Sequence, residues 1–321
     1  MSGAPLEEST RQPSGLRRLL SRSAIQTIYF VLLLALAAYY FVRWRGSLPA
    51  LLDRLNWGLV AVSGLALVVA TLFYVFVQYS VYRGMGVRLT FRQTFSIVCP
   101  SQLGKYVPGK VLLPGNYYLL SRKAGVDVRE IGGSFLISTA LWIVTAVLCS
   151  LSSVSLLSPT LRFGTLLLPV LLLVAIHPRV LSWVFGLLGR ALRKVGKSAT
   201  ADRLGESLSL PYSFYLKILA MYLVAWLLVG VQVFCLIAAL QPVGAEAFPI
   251  SLAAGSIGTV IGFVALFAPG GLGIREGLGA VILAQITTPE SALFVLVLLR
   301  LMTVIADLSF GGLGLWLGRQ A

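Results

Sequence analysis

The feature that most limits what this chain can become is the recurrence of apolar runs of about 18 residues or more. They extend from "AIQTIYFVLLLALAAYYF" near the start to "ALFVLVLLRLMTVIADLSFGGLGLW" at the end. Such a run crosses the roughly 30 Å hydrocarbon core of a bilayer as a helix, because in lipid the backbone must satisfy its own polar groups. Charged residues are 12% of the 321 positions and apolar ones 58%; a soluble domain carries about twice that share of charge. The fold class is an all-α polytopic membrane protein.

The runs place about six transmembrane helices, at residues 25–41, 59–79, 131–148, 163–176, 214–240 and 291–316. Residues 1–24 are polar and read as a cytoplasmic basic tail, and residues 25–319 as a single transmembrane domain. The segment 179–210 is basic, and its "LSWVFGLLGRALRKVG" pattern suits a helix lying on the membrane surface. No small-residue cleavage site follows the first run, so it is expected to stay as a span.

The net charge of +15 does not point to nucleic acid, which would call for a soluble basic face. The basic residues stand mostly between apolar runs, where the positive-inside rule accounts for them. The tail, the loops at 83–92 and 122–129 and the segment 179–210 are rich in lysine and arginine, whereas 150–160 and 241–249 have none. Both termini are therefore expected in the cytoplasm, with the three arginines of the 43–54 loop as the exception. Cys99, Cys149 and Cys235 have no paired spacing and read as small buried hydrophobes.

Two segments break the pattern. Residues 91–120, "FRQTFSIVCPSQLGKYVPGKVLLPGNYYLL", lie between two cytoplasmic loops yet hold too few uninterrupted apolar residues for two crossings. A re-entrant hairpin of two half-helices fits. Residues 250–286 lie between two external loops and centre on "FAPGGLGIREG". Both centres read Pro-x-x-Leu-Gly, Pro100 to Gly104 and Pro269 to Gly273. The halves 25–150 and 160–319 then form an inverted repeat with two oppositely oriented hairpins, the arrangement that marks a transport site. Pro100, Gly104, Pro108, Gly109, Pro269, Gly270, Gly271 and Gly273 are the expected breakers and hinges.

Ionisable residues inside apolar segments are few: Lys105, Lys110, Arg275, Glu276, Arg300 and Asp307. Each is costly in lipid and so is a functional candidate. Across a pseudo-two-fold axis, Lys105, Lys110 and Arg275 would converge near the midplane, where half-helix N-termini add donor groups for an anion such as phosphate. Glu276 would hold Arg275 or act as a gate. Tyr106, Arg300 and Asp307 could support the site. The competing reading has Arg275 pair with Glu276, Arg300 pair with Asp307 or Glu276, and Lys105 and Lys110 snorkel to headgroups. On the same plain footing, Tyr106 and Tyr117 are interface aromatics and Trp142 and Trp226 packing residues. His177 stands alone at a span end, and no nucleophile–base pair or metal cluster is spaced for catalysis. Neither enzymatic activity nor a cofactor or metal is expected.

At "LGKYVPGKV" and "APGGLGIREG" the chain resembles the lysylphosphatidylglycerol synthase transmembrane-region family. Leu103 to Tyr106 with Pro108–Gly109 match its first motif, and Pro269 to Gly273 with Glu276 its second. The resemblance implies a flippase-like protein of the bacterial inner membrane. Such a protein binds an anionic phospholipid or polyprenyl-phosphate-linked lipid and moves it between leaflets; the residues read above for the headgroup are Lys105, Lys110, Arg275 and Glu276. The alternative it leaves is an accessory protein that presents a lipid to a partner synthase or glycosyltransferase. The chain stops at Ala321, so the aminoacyl-transferase activity of two-part members is not expected here.

Overall fold

In the computed structural model, described here for residues 48–107, 112–156, 210–265 and 268–320, the apolar runs are helices. After the short α1 (Leu48–Asp53) come α2 (Trp57–Gly84), α3 (Phe91–Gln102), α4 (Leu112–Lys123) and α5 (Val128–Ser150). Then follow α6 (Tyr212–Leu240), α7 (Ala247–Val264), α8 (Ile274–Leu283) and α9 (Pro289–Gly318). Five of these, α2, α5, α6, α7 and α9, are long and apolar enough to cross a membrane. The spans expected at 25–41 and 163–176, the basic tail and the interfacial segment lie outside the described residues.

Helix starts follow capping chemistry. The Asn56 side chain accepts from Leu59 N–H at the head of α2, and Asp127 accepts from Arg129 N–H at the head of α5. Thr90 and Gln93 form a reciprocal capping box for α3. Thr288 caps α9, with Pro289 in its first turn, where a missing N–H costs nothing.

Because lipid is as apolar as the side chains, helix association relies on close packing and polar pairs. Both are present. Ser138 donates to Gln78 Oε1 at 2.9 Å, and Gln78 donates to the Tyr222 hydroxyl at 3.4 Å, tying α5, α2 and α6 together. Ser63 donates to the Gln232 carbonyl at 3.1 Å, a second α2–α6 tie. Tyr117, expected at the interface, is instead buried: its hydroxyl lies 3.0 Å from Ser134 Oγ, and its ring stacks on Tyr82 at 6.2 Å. Burial favours it because a tyrosine with a hydrogen-bond partner fills the core without leaving an orphan hydroxyl. The three cysteines are free and buried, as small hydrophobes should be.

The two broken segments differ in their arms. α3 and α4 are 12 residues each, about 18 Å at the helical rise, so neither spans the core alone. α7 has 18 residues and α8 has 10. α7 is thus long enough to cross by itself, where the sequence suggested a half-helix. Its glycines explain its fit to α8: a Cβ on Gly258 would lie 2.9 Å from the Arg275 carbonyl oxygen, and one on Gly262 3.0 Å from Arg275 Cβ. Similarly, α9 receives α3, since a Cβ on Gly311 or Gly314 would strike Leu103 or Pro100 at 2.8 Å.

Candidate functional site

Each break brings a cation into the interior. In the first, Pro100 lies inside α3, and the chain tightens into a 3-10 turn, Leu103–Tyr106. Gly104 is required by close approach: a Cβ there would sit 2.5 Å from the backbone of Leu112 and Leu113. That contact folds α4 back against the turn and points Lys105 and Tyr106 toward α9. In the second, Gly270, Gly271 and Gly273 have φ of 57°, 73° and 79°, a region L side chains enter only at a cost. A Cβ on Gly271 would also meet the Gly262 backbone at 2.8 Å. The turn ends where Gly273 N–H donates to Glu276 Oε2 at 2.7 Å, so that carboxylate caps α8.

The ion pairs join distant parts of the chain. Lys105 Nζ is 2.7 Å from Asp307 Oδ2, and the Tyr106 hydroxyl donates to the same oxygen. Arg300 faces Glu276, with Nε 3.8 Å from Oε1, too long for a hydrogen bond. Its guanidinium also lies 5.2 Å from the centre of the Tyr106 ring, a cation–π contact that links α9 to the first turn. Arg300 and Glu276 are each 6% exposed. Among the described residues, Arg300 Nε and Nη2 and Glu276 Oε1 have no hydrogen-bond partner. Arg275 makes no ion pair among the described residues.

These charges border a cavity of about 260 Å³. Lys105, Arg275, Arg300 and Asp307 line it together with Gly270. Its other walls come from α2, α3, α4, α5, α6 and α7, with Tyr74, Gln78, Trp142, Trp226, Gln232 and Phe263 among them. Three cations and one carboxylate facing a low-dielectric space make an electropositive pocket, one suited to an anion.

The structure thus brings Lys105, Arg275, Arg300, Asp307 and Tyr106 together, while Lys110, Pro108 and Gly109 lie outside the described residues. Arg300 and Asp307 do not pair with each other: one turns to Glu276 and the other to Lys105. Glu276 does not brace Arg275. The reason is local, since a glutamate three residues past a helix N-cap reaches back to the free N–H there. Tyr106 is an interior hydrogen-bond donor rather than an interface aromatic. Sequence reasoning also missed that Trp142, Trp226, Gln78 and Gln232 line the cavity. The signal was present in two glutamines standing in spans that are otherwise almost wholly apolar, where an amide needs an internal partner.

A comparison with curated proteins finds no significant match. The family model described as Lysylphosphatidylglycerol synthase TM region matches residues 23–311, which include both broken turns and the whole cavity lining. The chain therefore belongs to the lysylphosphatidylglycerol synthase transmembrane-region family.

Proposed function

We propose that the protein binds the headgroup of an anionic phospholipid or polyprenyl-phosphate lipid in this cavity and moves the lipid between leaflets. The observation that carries the reading is Arg300: a cation 6% exposed, lining the cavity, with two nitrogens, Nε and Nη2, that find no acceptor among the described residues. A buried cation with open donors is costly unless an anion completes it. Lys105 and Arg275 add charge to the same space. Family membership and the multi-pass helical fold agree with lipid handling.

In this account α3–α4 and α7–α8 act as two oppositely inserted hairpins of an inverted repeat, with the cavity between their turns near the midplane. Alternating access would move the turns about their glycines, passing the headgroup while the acyl chains remain in lipid. Lys105 is held by Asp307 in the present state and exchanges that carboxylate for the lipid anion as the headgroup enters. The membrane is a bacterial inner membrane, with both termini on the cytoplasmic side. The protein contributes binding and passage, without covalent chemistry.

The test uses purified protein in proteoliposomes with fluorescent anionic and zwitterionic lipids, and reads movement by chemical reduction of outer-leaflet label. Faster movement of the anionic lipid that depends on Arg300 supports the reading. Anionic lipid binding without movement would instead favour an accessory protein that hands its lipid to a synthase or glycosyltransferase.

A further inference from the structure

The charged end occupies only part of the cavity, and the rest has a chemistry of its own. A pocket of about 260 Å³ approaches the size of those that enclose whole small molecules. From Arg275 the wall continues into aromatic surface. Arg275 abuts α7 at Gly262. The next residue, Phe263, sets its ring edge-on to Trp142 at 5.3 Å, and Trp142 lies 5.2 Å from Trp226. The Trp226 indole N–H donates to the Trp142 carbonyl at 3.1 Å, so Trp226 offers the cavity ring surface only.

Gln232 supplies the second observation. It is 2% exposed and lines the same cavity, and its Nε2 has no acceptor among the described residues. Its backbone carbonyl is already engaged by Ser63. An amide donor left open in an apolar interior is expensive to keep, and a neutral acceptor entering the cavity would satisfy it.

We propose that Trp142, Trp226, Phe263 and Gln232 form a second subsite, for a hydroxylated ring attached to the anionic group. The ligand class is then a lipid-linked sugar phosphate. This rests on the reading that the charged end takes a lipid phosphate. The ring lies with an apolar face on the aromatic surface, and a hydroxyl oxygen accepts from Gln232 Nε2. The trimethylammonium of a choline headgroup fits less well, because it offers no acceptor to Gln232 Nε2 and sets a second positive charge beside Arg275.

The experiment measures binding to the full chain in detergent by tryptophan fluorescence and native mass spectrometry. The probes are a short polyprenyl phosphate, the same lipid carrying one hexose on its phosphate, and phosphatidylcholine. The hexose lipid should bind about tenfold tighter than the bare phosphate, the ratio expected for one hydrogen bond made in a buried site. Gln232→Leu should erase that ratio by lowering hexose-lipid affinity to that of the bare phosphate lipid, and should keep or raise the thermal midpoint, since it removes an unpaired donor. Arg300→Gln should weaken both phosphate lipids together. Equal binding of the two phosphate lipids by the unmodified protein, a ratio that survives Gln232→Leu, or tighter binding of phosphatidylcholine would each overturn the subsite. The first two outcomes leave the lipid-phosphate reading standing. Binding of neither phosphate lipid would overturn both.

Discussion

The two broken segments share a Pro-x-x-Leu-Gly sequence and solve the same problem differently. In the first, the backbone at Gln102 and Leu103 stays right-handed, and Gly104 is needed because α4 returns directly over it. In the second, three glycines take positive φ, and the turn is finished by the Glu276 carboxylate. Their charges differ likewise. Lys105 is matched by Asp307 at 2.7 Å, while Arg300, beside Gly270, keeps open donors. Both cations face a carboxylate, but the Lys105 pair is within hydrogen-bond distance while the Arg300–Glu276 pair, at 3.8 Å, leaves donors open. A repeated motif thus carries a repeated break but not a repeated role.

The comparison breaks most severely at the second turn. Gly271→Ala combines a positive φ with a Cβ 2.8 Å from the Gly262 backbone, and should cost about 3 kcal/mol or more. Loss of monodisperse protein, or a sharp drop in thermal midpoint in detergent, would register it. A stable Gly271→Ala protein would mean that the turn is not built as described.

Next in size is the closed pair. Lys105→Met strands a largely buried carboxylate on Asp307 and should cost about 3 kcal/mol. Combining Lys105→Met with Asp307→Asn should recover most of that loss, because the neutral amide needs no cation and its carbonyl can still accept from Tyr106. The double-mutant cycle over thermal or denaturant unfolding measures the coupling. Additive losses would mean that the two side chains do not meet.

The smallest effects lie one helix away from each turn. Gly115 in α4 and Gly277 in α8 have nothing within 4 Å of a built Cβ. Alanine at either should be neutral or stabilising, by up to about 1 kcal/mol through helix propensity. If these substitutions cost as much as Gly271→Ala, the sensitivity would belong to the whole broken segments rather than their turns.

The breaks were legible in the sequence because proline and glycine act locally. The Pro269–Gly273 run separates α7 from α8 with three positive-φ glycines, while Pro100 sits inside α3 and marks the approach of the first break rather than its position. The interior charges were legible as a set, since lysine, arginine and aspartate are conspicuous in apolar runs. Their partners were not. Asp307 meets Lys105 from the opposite half of the chain, and only the packing of α9 on α3, through Gly311 and Gly314, decides that. Nor does a span that is apolar on every face say which side looks inward, which hid Trp142 and Trp226 in the cavity wall. The length of α7 escaped for another reason: the external loops that flank residues 250–286 suggest one hairpin, and loop placement does not say how the residues divide between the arms.

The most direct test of the central claim compares movement of an anionic and a zwitterionic lipid by the unmodified protein and by Arg300→Gln in proteoliposomes. Arg300→Gln takes the facing cation from Glu276, so the thermal midpoint should fall. Movement is therefore read on monodisperse protein and beside Arg300→Gln/Glu276→Gln, which removes the stranded charge and keeps an acceptor for Gly273 N–H. The account predicts selective movement of the anionic lipid by the unmodified protein and a loss of about tenfold or more in the variant, the scale of one charge-assisted hydrogen bond. Undiminished anionic lipid movement by well-folded Arg300→Gln would contradict it.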